Sequence, residues 1–98
     1  MANLFSELQL MATNSDRIRT ILSQHAKLSV DVASLNDDAD LYSAGLSSFA
    51  TVQLMLALEE EFNIEIPDKL LNRRSFESIT AIAGVINTVS GVRAAEQI

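Results

Sequence analysis

Residues 47–62, SSFATVQLMLALEEEF, hold Val52, Met55, Leu56, Leu58 and Phe62 close to a 3.6-residue period. A segment of this length and period predicts a helix with an apolar face, and the rest of the chain must cover that face. Two further segments repeat the pattern. Ile18, Ile21 and Leu22, with His25 one turn on, predict a helix over about 15–26. Ile79, Ile82, Ala83, Ile86 and Val89 predict another over 78–89. No stretch reads as a convincing strand. The fold expected is therefore all-α: a small bundle of three main helices plus one short helix around a shared core. The 98 residues suit one domain, and a chain of this size buries only roughly 60–65% of the surface it exposes when unfolded.

The connections carry their own signals. Asn14, Ser15 and Asp16 offer cap-type side chains to the first helix. Leu28 to Ala44 reads as a long loop whose spaced aliphatics, Leu28, Val30, Val32, Leu35 and Leu41, favour packing back on the core. Gly45 breaks the chain, and the Ser47-Ser48 pair supplies the start of the central helix. Pro67 ends the Ile64–Ile66 piece, Asp68 to Asn72 suits one short helical turn, and Arg73-Arg74-Ser75 reads as a connector. Ser78 is the expected cap of the last helix and Gly91 its expected end. The organisation expected is an N-terminal extension over 1–13, with Leu4, Leu8 and Met11 on one helical face, a domain over 14–90 and a tail over 91–98.

The charge is unevenly placed. No basic residue lies between Lys27 and Lys69, a window that holds Asp31, Asp37, Asp38, Asp40, Glu59, Glu60, Glu61, Glu65 and Asp68. The plain reading is a solvated, solubilising surface; the functional one is a docking face for basic partners. A net charge of −6 opposes nucleic-acid binding, which needs a basic face. The absence of Cys removes disulfides, thiolate metal sites and a Cys nucleophile. No apolar run approaches the roughly 20 residues of a membrane span, and the N-terminus lacks the pattern of a signal peptide. A soluble, cytoplasmic domain is expected, with neither nucleic acid nor membrane as partner.

Little catalytic chemistry is available. A hydrolase would need Ser47 or Ser48 with His25 as base, but His25 is the only His and no nucleophile elbow surrounds either serine. With glycines only at 45, 84 and 91 there is no phosphate-cradling loop, and no residue set has metal-ligand spacing. What remains is a serine at a helix start. One of the pair serves as N-cap. The other faces solvent at the positive end of the helix, where an esterified phosphate meets free N–H groups and a favourable dipole.

The stretch DLYSAGLSSFATVQLMLALEEEFNIEIPD, Asp40 to Asp68, resembles the core of acyl carrier proteins, and the helices on either side extend the resemblance over roughly 14–90. Asp40, Leu41, Gly45, Ser48, Thr51, Val52, the Glu59-Glu60-Glu61-Phe62 run and Ile66-Pro67-Asp68 match in register. The resemblance implies that Ser48 carries covalent 4′-phosphopantetheine, donated from coenzyme A by a phosphopantetheinyl transferase. The arm's thiol would hold a cargo as a thioester, and catalysis would belong to partners, so the chain itself is expected not to be an enzyme. Ser47 stands where the family has an acid, Phe49 where it has Leu, and Ala50 and Gln53 where its helix face is acidic. These departures imply poor docking by fatty-acid synthases, and the combination AGLSSF…LLNRRSF looks like the stand-alone aminoacyl carrier proteins, which implies a small amino acid as cargo, a dedicated amino acid ligase as loading partner and a downstream acceptor enzyme. Phe49, Met55, Glu59, Glu60, Arg73 and Arg74 are the expected docking residues, although for Arg73 and Arg74 a pair of plain surface arginines is the slightly favoured reading. A monomer is expected. The alternatives are an ordinary acyl carrier of fatty-acid or secondary-metabolite synthesis, whose long cargo would need space among Val52, Leu56, Leu58 and Ile82, and an unmodified helical interaction domain.

Overall fold

The computed structural model describes residues 13–96, and side chains as far as Ser90. The expected apolar face of Leu4, Leu8 and Met11 falls outside the described residues. Three α-helices form the bundle: α1 (Asn14–His25), α2 (Ser48–Phe62) and α3 (Ile79–Glu96). No strand occurs among the described residues. The short fourth helix is instead a pair of 3-10 turns, Asp68–Leu70 and Arg73–Phe76, with a third at Val32–Ser34.

The cap of α1 sits one residue earlier than expected. Thr13 and Asp16 form a capping box: the Asp16 N–H donates to the Thr13 hydroxyl at 3.1 Å, and the Thr13 N–H donates to the Asp16 carboxylate at 3.3 Å. Ile18, Ile21 and Leu22 are buried against the other two helices. His25 is exposed rather than on the apolar stripe.

The long loop packs as its aliphatics indicate. Val32, Leu41, Ala44 and Leu46 are buried, while Val30 remains exposed. Arg19 of α1 holds it, donating to the Val32 carbonyl at 2.7 Å and to Asp37 at 2.6 Å. Backbone bonds from Leu41 to the Glu77 carbonyl and from Thr80 to the Asp37 carbonyl tie it to the start of α3. Gly45 has φ +111, and a Cβ there would stand 3.2 Å from the Ser29 nitrogen, so the turn into α2 requires glycine.

On α2 the apolar pattern divides between two faces. Leu54 and Leu58 are buried, with Ala50, Met55, Ala57 and Phe62 packed beside them. Val52 and Leu56 lie on the opposite side with Phe49, and are 54%, 56% and 74% exposed. Two residues span about 200° of helix, so Leu54 and Leu56 cannot share a face. Val52 and Leu56 therefore form no cavity with Leu58 and Ile82, which are buried. Asn63, with φ 52, closes the helix in the left-handed conformation.

Ile64 and Ile66 return the chain to the core. Arg73 to Phe76 is not a plain connector but a 3-10 turn capped by Asn72, whose side chain accepts the Ser75 N–H, and it buries Phe76. The Ser78 hydroxyl accepts the Ala81 N–H at the start of α3, as expected of a cap. Ile79, Ile82, Val85, Ile86 and Val89 are buried. The helix continues past Gly91 to Glu96. A glycine inside a helix costs about 1 kcal/mol relative to Ala, which weakens a helix without compelling it to stop.

Candidate functional site

The segment before α2 fixes how the two serines are presented. Asp40 accepts the backbone N–H groups of Tyr42 and Ser43 and the Ser43 hydroxyl at 2.9 Å. The Ser43 hydroxyl bond is the main reason its carboxyl lies below the ordinary value; the backbone bonds and the charge of Arg73 add to it, against some desolvation. The Leu46 N–H bonds back to the Leu41 carbonyl at 3.0 Å, closing the turn around Gly45.

Ser47 is the N-cap. Its hydroxyl accepts the Ala50 N–H at 3.0 Å, and its carbonyl accepts the Thr51 hydroxyl at 2.8 Å. Ser48 is the first residue of α2, exposed, and its hydroxyl makes no hydrogen bond among the described residues. The division of labour between the serines is thus the one that leaves Ser48 available. Its oxygen sits at the helix end whose free N–H groups and dipole favour an anion.

Ser48 also lies at a groove of about 420 Å³ between α2 and the 3-10 turns. Val52, Met55, Leu71 and Phe76 supply its apolar wall. Tyr42, Asn72 and Arg73 line its polar part. The Tyr42 hydroxyl donates to the Arg73 carbonyl at 2.9 Å, and the Arg73 guanidinium stands 3.9 Å from the centre of the Tyr42 ring. Partial burial raises the Tyr42 phenol above its ordinary pKa; Asp40 and Glu77 add to that, and the charge of Arg73 opposes it.

Of the residues expected to act, Ser48, Met55 and Arg73 meet at this groove. Phe49 stands outside it, on the exposed stripe with Val52 and Leu56. Glu59 serves the fold, since its carboxylate accepts the Ile66 N–H at 2.9 Å. Glu60 is exposed and borders a separate groove of about 590 Å³ between α1 and α2, where His25 also lies. Arg74 is exposed and away from Ser48's groove. Tyr42 and Leu71 also line the groove; both lie in stretches that carry the resemblance, but their approach to Ser48 depends on tertiary packing and is not visible in the sequence.

The acidic window is partly spoken for within the fold. Arg17 pairs with Glu61 at 3.0 Å and lies over the Phe62 ring; Arg19 pairs with Asp37. Asp31 caps the turn at Val32, and Asp38 accepts the Thr80 hydroxyl. Glu60, Glu65 and Asp68 make no such bond among the described residues and are exposed. Ser48 and His25 line different grooves, so no serine–histidine pair is assembled. Among the described residues no group of His, Asp or Glu is placed to hold a metal ion, and no helix is long and apolar enough to cross a membrane.

Residues 16–86 match the family described as the phosphopantetheine attachment site. The chain is 56% identical over 72 residues to an aminoacyl carrier protein of Agrobacterium fabrum, covering 74% of this chain and 87% of that protein. A solved structure of an engineered Bradyrhizobium japonicum glycine:carrier protein ligase complexed with carrier protein from Agrobacterium tumefaciens and ATP contains a chain 52% identical, with TM-score 0.76 over 79% of this chain and all (100%) of that one. A second, of the Bradyrhizobium japonicum ligase with glycylated carrier protein, matches at 25% identity and TM-score 0.64 over 74% of this chain and 96% of that one.

Proposed function

We propose, for a chain that belongs to the phosphopantetheine-attachment family, that Ser48 bears the prosthetic arm and that the arm's thiol holds a small amino acid as a thioester. The cofactor of the family is covalent 4′-phosphopantetheine, which supplies the thiol that a chain without Cys lacks. The observation that carries the site assignment is the Ser47–Ala50 cap bond, which leaves the neighbouring Ser48 hydroxyl exposed at the groove. The chain provides attachment and presentation, while transfer chemistry belongs to its partners.

Those partners are a phosphopantetheinyl transferase that installs the arm, a ligase that loads the amino acid and an acceptor enzyme that removes it. The exposed Phe49–Val52–Leu56 stripe runs along α2 from beside Ser48 towards Glu60. It offers a ligase an apolar contact next to the attachment point, with acidic charge at its far end. Arg73 at the groove and Arg74 beyond it are available to a partner from the other side. The chain works as a monomer in the cytoplasm. Glycine as cargo is supported by the glycylated carrier in the ligase complex and by the alanine and glutamine that stand at Ala50 and Gln53, where fatty-acid machinery reads acids.

The test is loading. With the arm in place, a glycine:carrier protein ligase and ATP should attach glycine as a hydroxylamine-sensitive adduct, and an acyl-carrier synthetase should load long fatty acids poorly. Efficient long-chain loading with no aminoacylation would replace this reading with an ordinary acyl carrier.

A further inference from the structure

Among the described residues Arg73 is the one charged side chain lining the groove beside Ser48. The nearby polar groups are engaged: the Thr51 hydroxyl donates to the Ser47 carbonyl at 2.8 Å, and the Asn72 side chain accepts the Ser75 N–H at 3.1 Å and donates to the Lys69 carbonyl at 3.2 Å. Arg73 differs. No carboxylate lies within ion-pair distance of it among the described residues; Asp40 feels its charge without pairing. Its guanidinium contacts the Tyr42 ring, and the Tyr42 hydroxyl fixes the backbone at Arg73. Stacking on an aromatic ring occupies the guanidinium's face and leaves its N–H edge to meet an anion in bidentate fashion.

A phosphodiester esterified to Ser48 places a negative charge at this groove, in a chain whose net charge is already −6. We infer that Arg73, held on Tyr42, is the positioning residue for the arm's phosphodiester. Two long-range contacts, spanning residues 42 and 73, thus connect the segment before the attachment serine to the turn that faces it. The inference rests on Ser48 as the attachment residue.

The experiment separates the two. The chain is converted with coenzyme A and a broad-specificity transferase, its intact mass is recorded, and NMR spectra are compared before and after. The Arg73 Nε–H and Tyr42 ring resonances should shift on conversion, and the ³¹P resonance of the converted protein should move in Arg73→Gln and return part of the way in Arg73→Lys. Tyr42→Phe, which keeps the ring and loses the bond to the Arg73 carbonyl, should broaden the Arg73 signal. Circular dichroism of each variant guards against misfolding. A mass increase that Ser48→Ala abolishes, with unmoved Arg73 and Tyr42 signals or a ³¹P resonance indifferent to Arg73→Gln, overturns the inference and leaves Ser48 standing. A mass that does not change overturns both.

Discussion

The Glu59 carboxylate accepts the backbone N–H of Ile66 at 2.9 Å, across the left-handed turn at Asn63. It ties the end of α2 to the segment that returns Ile64 and Ile66 to the core. This explains an acid in the last turn of a helix, where the dipole disfavours it. Glu59→Ala leaves the Ile66 N–H without its partner and should cost about 1–3 kcal/mol. Glu60→Ala, at an exposed position, should stay within about 0.5 kcal/mol. Urea unfolding of the two variants checks the difference; equal effects would contradict it.

Leu54 and Leu56 provide a second contrast. Leu54 is fully buried and Leu56 is 56% exposed. Leu54→Ala should destabilise by about 2–5 kcal/mol. Leu56→Ala should leave stability nearly unchanged and weaken binding to the loading ligase. Denaturant midpoints and titration against the ligase read the two effects separately.

The helices are legible in the sequence because their buried residues recur at helical spacing: on α1 the expected Ile18, Ile21 and Leu22 are buried while His25 is exposed, and on α3 Ile79, Ile82, Ile86 and Val89 are buried, with Ala83 only half-buried and Val85 buried beside them. On α2 the expected residues divide: Leu58 is buried and Met55 and Phe62 pack on the core, whereas Val52 and Leu56 face outward and the fully buried Leu54 is not among those expected. Val52 and Leu56 fit the period as well as Leu54 and Leu58 do, and periodicity alone does not say which stripe meets the neighbouring helices. The serine site is legible as a pair, and the resemblance chooses Ser48; the Ser47 cap bond supplies a physical reason for that choice. Tyr42 and Arg73 are not legible as partners, because the contact joins residues 31 apart in sequence. The same holds for Arg17 and Glu61, 44 apart, which convert part of the acidic window into internal pairs.

Docking of the ligase should combine apolar and charged contributions. Phe49→Ala should weaken it at every ionic strength, since apolar contact is not screened. Charge reversal at Glu60 should weaken it most at low salt, because exposed charges are screened over roughly 8–10 Å at 0.1–0.15 M. Calorimetric titrations at low and high salt decide this. Affinity that is flat with salt would remove the acidic contribution and leave the Phe49 stripe alone.

Asp40 sets a pH dependence. Its carboxyl is held below the ordinary value, mainly by the Ser43 hydroxyl bond. A depressed folded pKa contributes stability in full above the unfolded value, and that contribution is lost as pH falls through the folded one. Asp40→Asn should therefore be less stable than the parent near neutral pH, with the gap closing in acid. Chemical unfolding of both proteins across the acid range measures it. A gap that is independent of pH would show that Asp40 acts through shape alone.

Attachment of the arm at Ser48, with its neighbour Ser47 as cap, can be measured directly. The direct measurement is the intact mass of the chain and of its Ser47→Ala and Ser48→Ala variants after treatment with coenzyme A and a phosphopantetheinyl transferase. The parent and Ser47→Ala should each gain one phosphopantetheine, with Ser47→Ala less stable by about 1 kcal/mol for the lost cap, and Ser48→Ala should gain none. Modification that survives Ser48→Ala and vanishes in Ser47→Ala would contradict the account.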